Sequence, residues 1–129
     1  MRERDKIKQQ FEYFVQGLEK NDAKFWEVVI AKDCRMQSET VGDAEGFDAV
    51  KEKLVWRGPK LDFSRYRIYN TCIFQEKDQA VQSAYVIATV GVKEDYYLHW
   101  FTFGGHYLIN WIKEDAIWKM SSLKYCHDM

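Results

Sequence analysis

The first part of the chain carries apolar residues at helical spacing. Ile7, Phe11, Phe14 and Leu18 recur every three or four positions within a charged stretch. This period places them on one face of a helix that covers about residues 3–20. The pattern therefore predicts an amphipathic N-terminal helix that packs one face against a core.

Two further helices and a short strand are expected before the only proline. A second helix suits residues 23–30, although its β-branched end, Val28-Val29-Ile30, also suits a strand. A short strand over residues 35–38 follows, and a third helix begins near Phe47. Gly58-Pro59 ends the helical part of the chain.

The second part of the chain is rich in strand-forming residues. Long apolar and β-branched runs are separated by short polar turns such as Gln75–Asp78, Lys93–Asp95 and Lys113–Asp115. Consecutive runs joined by short polar turns are typical of antiparallel hairpins. The pattern therefore predicts four long strands in an antiparallel meander.

Two details of the strands bear on what surrounds the sheet. Residues 80–92 are apolar or small on both faces, with Val81, Tyr85 and Ile87 on one of them. Helices can cover only one face, so a second copy of the chain is the simplest cover for the other. Gly104-Gly105 lies inside the longest strand and predicts a bulge or bend that opens space between the layers.

Length and composition narrow the class of protein. The 129 residues suit a single domain, residues 1–129, with 19 basic and 20 acidic side chains and a net charge of −1. This balance supports neither nucleic-acid binding nor attraction to an anionic membrane. Three cysteines without short spacing argue against a disulfide framework or a metal site. The charged N-terminus lacks a signal peptide, which predicts a cytoplasmic protein.

The order of elements and one segment near the end resemble a known family. Gly105-His106-Tyr107, the turn Lys113–Asp115 and Trp118-Lys119-Met120 resemble a family pattern of a Gly-x-Tyr strand, an acidic turn and a final Trp-Lys/Arg-Ile strand. Asn70 belongs to another similar segment. The chain thus resembles the nuclear transport factor 2-like superfamily, in its SnoaL-like branch of polyketide cyclases and dehydratases.

The resemblance implies an α+β fold and a way of assembling. Three N-terminal helices would pack on a strongly bent antiparallel sheet and form a cone with a cavity, as in cystatin-like folds. Members commonly form homodimers through the outer sheet face, which agrees with the two-sided apolar strand. No cofactor or metal is implied, and the expected partner besides a second copy is a small hydrophobic molecule.

Enzymes of this superfamily use a cavity histidine, an acidic partner and often a tyrosine for acid–base chemistry. This chain departs from that pattern, because the first long strand has Arg65, Tyr66 and Arg67 where the histidine is expected. The remaining candidates are His99 and His106. They are seven residues apart and reach one face only if a bulge intervenes.

The candidate site residues follow from these positions. We take His99 and His106 as acid–base candidates and Tyr13 as a hydroxyl that polarises an oxygen. His127 is set aside because it lies near the C-terminus. The candidates for ligand contact are Phe14, Trp56, Asn70 and Tyr107.

The sequence leaves three functions open. The first is a cofactor-free lyase, such as a dehydratase, or an isomerase that acts on a small, largely apolar and cyclic substrate. The second is a non-catalytic protein that binds such a molecule. The third is a dimeric assembly module, since one scaffold hosts unrelated functions.

Overall fold

The chain forms two α-helices and a six-stranded sheet. One helix precedes the first strand, and the other lies between the second and third strands. A computed structural model of the chain describes residues 1–128. The helices are α1 (Glu3–Lys20) and α2 (Phe47–Leu54). The strands are β1 (Ile30–Ser38), β2 (Ala44–Glu45), β3 (Leu61–Glu76), β4 (Gln79–Glu94), β5 (Tyr97–Glu114) and β6 (Ile117–His127).

The sheet is open, and its strand order is β2-β1-β6-β5-β4-β3. Strands β3 to β6 pair antiparallel in sequence order, so the predicted meander is confirmed. Strand β1 pairs with β6 in parallel orientation. The two-residue β2 pairs antiparallel with β1 and is the edge strand on that side. The α+β class predicted from the sequence is therefore confirmed.

The prediction of three N-terminal helices was wrong. Between α1 and β1 there is only a 3₁₀ turn, Ala23–Trp26, and the chain is already extended at Ile30. The β-branched run that precedes β1 loses side-chain freedom in a helix and suits a strand better. The indole of Trp26 is buried under α1, where its Nε1 donates to the Phe14 carbonyl over 3.1 Å.

The core lies between α1 and the face of the sheet that the helices cover, here called the inner face. Ile7, Phe11 and Phe14 of α1 are fully buried, as their helical spacing predicted. The rings of Phe11 and Phe14 each lie 6.0 Å from the ring of Tyr107 on β5. Burial of such aromatic side chains supplies most of the energy that holds the helix on the sheet.

The expected bulge at Gly104-Gly105 was also wrong. Strands β4 and β5 pair without interruption from Gln79 to Glu94, and this range includes the partners of both glycines. An irregularity occurs instead between β5 and β6, at Asn110 and Trp111. Instead, tyrosine side chains lie close against both glycines.

The start of α1 is tied to the β5–β6 hairpin by one carboxylate. Glu3 accepts hydrogen bonds from Lys113 Nζ over 2.8 Å and from Trp118 Nε1 over 2.6 Å. These two hydrogen bonds, that from Lys113 above all, lower the pKa of Glu3 from 4.5 to about 2. The ionised form is therefore favoured by the fold.

We expect Glu3→Gln to lower the melting temperature at pH 7. Because the pKa is lowered in the folded chain, the contribution is complete above pH 4.5 and is lost as the pH falls through about 2. Thermal unfolding followed by circular dichroism from pH 7 to pH 2 should show the two proteins converging. Asp5→Asn, in the same helical turn, is the control that should show no such convergence. A difference that stays constant down to pH 2 would contradict this role of Glu3.

Candidate active site

A cavity of about 780 Å³ lies between the inner face of the sheet, α1, α2 and the segment that follows α2. Its size suits a small organic molecule. Most of its wall is apolar, and the residues that form the wall include Leu18, Met36, Leu54, Val90, Phe103 and Leu123. The expected hydrophobic cavity is therefore present in the structure.

Three tyrosines bring their side chains to this apolar cavity. Tyr66, Tyr107 and Tyr125 line it from β3, β5 and β6, and the rings of Tyr107 and Tyr125 lie 4.8 Å apart. Burial raises the pKa of Tyr66 to about 12 and raises the pKa of Tyr107 and Tyr125 as well. At neutral pH the three phenols are therefore protonated and can each donate a hydrogen bond.

His127 lies beside the tyrosines, at the end of β6. Its Nδ1 is 3.3 Å from the Tyr125 hydroxyl, and the side chain is exposed at the cavity mouth. Its backbone N–H donates to a carboxylate oxygen of Glu39 over 3.0 Å. The imidazole thus combines access to solvent with a hydrogen bond to a cavity phenol, which suits a group that exchanges protons.

Sequence reasoning missed His127, Tyr125 and Tyr66 as cavity residues. Alternation from Trp118, which is buried, would have placed even-numbered residues of β6 inside throughout the strand. One extra residue, Ser121, is inserted where Trp111 pairs with Met120 and Asn110 pairs with Ser122. This shift turns the odd-numbered end of the strand inward, and sequence alone did not indicate it.

Trp56 forms part of the cavity wall just after α2. The Asn21 side chain fixes its backbone, since Trp56 N–H donates to Oδ1 over 2.9 Å and Nδ2 donates to the Trp56 carbonyl over 3.4 Å. The Trp56 indole donates to the Pro59 carbonyl over 2.8 Å. Asn21 also ends α1 in a left-handed conformation, so one residue joins the end of a helix to the cavity wall.

The ligand-contact candidates occupy different places. Trp56 and Tyr107 line the cavity. Phe14 is buried in the core behind Tyr107 and does not reach the cavity. Asn70 is exposed, with a positive φ of 49°, at an irregularity in β3.

The three acid–base candidates lie outside the cavity lining. Tyr13 is 38% exposed and packs its ring 4.7 Å from that of Phe25. His99 is exposed near the β4–β5 turn, and His106 lies on the outer face with its ring 4.7 Å from that of Tyr85. The structure does not bring these three side chains together. Their catalytic role stays a prediction that no contact in residues 1–128 supports.

Gly105 makes room for a cavity tyrosine. A Cβ atom at this position would lie 2.5 Å from the ring of Tyr125 and 2.6 Å from the backbone oxygen of Cys126. Only a residue without a side chain allows the phenol ring to lie against β5 at this point. The glycine therefore determines where the Tyr125 hydroxyl stands in the cavity.

Nearly the whole chain matches one protein family. A family model described as a SnoaL-like domain matches residues 1–124. The chain belongs to the SnoaL-like family. The resemblance seen in the sequence is thereby confirmed. Among curated proteins, none is similar enough in sequence to count as a match.

Solved structures of SnoaL-like and related proteins share the fold across nearly the whole chain. A candidate scytalone dehydratase from Novosphingobium aromaticivorans has a TM-score of 0.84 at 21% identity, covering 98% of this chain and 85% of its own. A hexachlorocyclohexane dehydrochlorinase, LinA type 3, from Novosphingobium barchaimii has a TM-score of 0.80 at 16% identity, covering 98% and 86%.

A third solved structure has the same fold. A nuclear transport factor 2-like superfamily protein from Salmonella enterica has a TM-score of 0.80 at 12% identity, covering 97% of this chain and 90% of its own. At such identities the likeness shows the fold alone.

Neither helix within residues 1–128 is long and apolar enough to cross a membrane.

We expect Gly105→Ala to destabilise the domain by about 1–3 kcal/mol, because the new methyl group meets both a ring and a fixed backbone oxygen. Denaturant unfolding should measure this loss. Gly104→Ala is the matched control, since a Cβ atom there would meet its nearest neighbour, the Tyr85 hydroxyl, at 3.0 Å. This variant should lose clearly less. A loss clearly below about 1 kcal/mol in Gly105→Ala would mean that the Tyr125 ring does not depend on Gly105.

Proposed function

We propose that this SnoaL-like domain binds a small, largely hydrophobic and cyclic molecule in its cavity. We propose further that it acts on this molecule as a cofactor-independent dehydratase or isomerase. One observation carries the proposal: three protonated phenols and an imidazole line a largely apolar cavity, whose wall also includes Glu52, Lys53 and Arg57. An apolar wall favours the ring of the substrate, and the phenols favour an oxygen on it.

The histidine and the tyrosines would have different roles in the reaction. The histidine would carry the proton, and the tyrosines would stabilise the negative charge. In a dehydration, the neutral His127 imidazole takes a proton from the carbon next to a carbonyl group, and the electron pair moves onto the carbonyl oxygen. Tyr66 and Tyr107 donate hydrogen bonds to that oxygen while it is negative. The hydroxyl group on the next carbon then leaves with the proton held by His127, which releases water and forms the double bond.

Tyr125 would orient the imidazole in this scheme. Its hydroxyl is within hydrogen-bond distance of His127 Nδ1, so Nε2 is the nitrogen left to face the substrate. A phenol is a weaker orienting partner than a carboxylate, because it does not stabilise the charged imidazolium as strongly. The proposed enzyme therefore differs from a histidine–carboxylate pair in this part of its mechanism.

Two solved structures of this fold support an elimination reaction by their names. One is a dehydrochlorinase and the other a candidate dehydratase, so both names describe the removal of a small molecule from a substrate. Eliminations need a base and a group that stabilises a developing negative charge. His127 and the tyrosines are candidates for these two roles here.

A non-catalytic ligand-binding protein is the second candidate. It is favoured by the absence, within residues 1–128, of a hydrogen bond between an imidazole nitrogen and a carboxylate. Glu39 is the nearby acid, and it accepts from the backbone of His127 rather than from the ring. The cavity would then bind and release its ligand unchanged.

We expect a panel of steroid, terpene and polyketide-like compounds to include some that raise the melting temperature. A ligand at 100 times its dissociation constant stabilises the fold by about 2.7 kcal/mol. Tyr66→Phe should weaken the binding of an oxygen-bearing compound by about tenfold, since one hydrogen bond is lost. Tyr13→Phe is the control that should keep full affinity. Stabilisation by no compound, or an equal effect of both variants, would contradict the proposed cavity site.

The same compounds separate the enzyme from the binding protein. Mass spectrometry of each bound compound after incubation should show loss of water or an isomerised product. His127→Ala should abolish turnover and retain binding, whereas His99→Ala should keep turnover. Recovery of every compound unchanged would favour the non-catalytic protein. Full turnover in His127→Ala together with its loss in the double variant His99→Ala, His106→Ala would assign the chemistry to His99 or His106.

We also propose that the chain is cytoplasmic and forms a homodimer through the outer face of the sheet, as the sequence and the family resemblance predict. Several large apolar side chains on that face are exposed, among them Tyr69, Phe74, Val81, Trp100 and Leu108. An apolar patch of this kind on a single chain commonly marks an interface. Arg65, Arg67 and Lys124 lie on the same face, so the apolar side chains alternate with exposed charges there. The same face of a second copy is the simplest cover for these apolar side chains.

We expect Leu108→Lys to shift the protein from dimer to monomer in light scattering after size-exclusion chromatography. A buried lysine at the centre of an apolar interface has no partner for its charge. Val28→Lys is the control, because Val28 and Leu108 are both 47% exposed but Val28 lies outside the sheet. A wild-type protein that is monomeric at micromolar concentration would contradict the dimer.

A further inference from the structure

The end of β6 is fastened on the face of the sheet opposite to the cavity. His127 is the last residue of β6, and Asp128 follows it directly. The backbone N–H of Asp128 donates to the Gly104 carbonyl over 2.9 Å, and its carboxylate accepts from the Tyr85 hydroxyl over 3.0 Å. The two bonds hold the residue next to the cavity imidazole to the body of the sheet.

Tyr85 reaches Asp128 by crossing a strand. It belongs to β4, whereas β5 lies between it and β6. The phenol passes over Gly104, where a Cβ atom would lie 3.0 Å from its hydroxyl and 3.3 Å from its ring. The ring of His106 packs edge-on against the phenol, 4.7 Å away. Gly104 and His106 therefore define one path for the Tyr85 side chain.

Adjacent residues of a strand point to opposite faces, so a bond at Asp128 restrains His127 without entering the cavity. From the other direction, the Glu39 carboxylate accepts from the His127 backbone N–H. Strand ends normally fray because few bonds hold their last residues. Here hydrogen bonds with Tyr85, Gly104 and Glu39 hold His127 and Asp128 in place. Such restraint keeps the imidazole in a fixed position.

We propose that Tyr85 and Asp128 form a latch on the outer face that positions the His127 imidazole against Tyr125 in the cavity. The catalytic consequence rests on the function proposed above, but the latch itself does not. Tyr85 and Asp128 are positioning residues, since neither lines the cavity. The hydrogen bond to Asp128 is also the main cause of the raised pKa of Tyr85, so the phenol is a protonated donor at neutral pH.

Nuclear magnetic resonance of the ligand-free protein tests this latch. In Tyr85→Phe and in Asp128→Ala, we expect amide exchange at residues 127 and 128 to accelerate about tenfold, as for the loss of one hydrogen bond. We also expect the Nδ1 resonance of His127 to move towards that of a free imidazole. In Asp128→Asn, whose amide oxygen still accepts from Tyr85, most of both effects should be absent.

Tyr69→Phe is the matched control, because Tyr69 pairs with Tyr85 across β3 and β4 on the same face. It removes a hydroxyl without touching the end of β6 and should resemble the wild type. Unchanged His127 signals and amide exchange in Tyr85→Phe and Asp128→Ala would overturn the latch. Because the experiment uses no ligand, its result does not depend on whether the proposed enzymatic activity is correct.

Discussion

One extra residue in β6 determines which side chains reach the cavity. Before Ser121, the buried positions of β6 are Trp118 and Met120, and after it they continue with Leu123. Strand residues alternate strictly between faces, so a single insertion exchanges the faces for the rest of the strand. Tyr125 and His127 face inward only because of this insertion. Without it, the outer face would carry the imidazole and the cavity would lose its only histidine among residues 1–128.

The two adjacent glycines of β5 allow aromatic side chains to lie against both faces of the sheet. Gly105 makes room for Tyr125 on the inner face, and Gly104 makes room for Tyr85 on the outer face. Both tyrosines restrain His127. The Tyr125 hydroxyl lies within hydrogen-bond distance of the His127 ring, and the Tyr85 hydroxyl donates to Asp128, the next residue. At these two glycines, side chains on both faces of the sheet therefore restrain the same residue, His127. The two glycines do not form the expected bulge, and they are a site of close side-chain packing.

The chemistry of the cavity follows from its low polarity. Burial disfavours the ionised form of a phenol, which keeps Tyr66 and Tyr107 as hydrogen-bond donors far above neutral pH. Donors held in an apolar wall interact strongly with an oxygen that becomes negative, because little water competes. The imidazole at the mouth remains in contact with solvent and can exchange its proton there. The division between a dry interior and a wet mouth gives the tyrosines and the histidine different roles.

The sequence by itself determined the elements and much of the core. Helical spacing in α1, β-branched runs and polar turns are local properties, so Ile7, Phe11 and Phe14 and the meander were predictable. Trp56 and Tyr107 were also placed at the cavity by their positions near a helix end and in the family-like strand. What only the tertiary structure decided is the facing of the last strand and the partners of Gly104 and Gly105. These depend on a register shift between two strands, which no local pattern in one strand encodes.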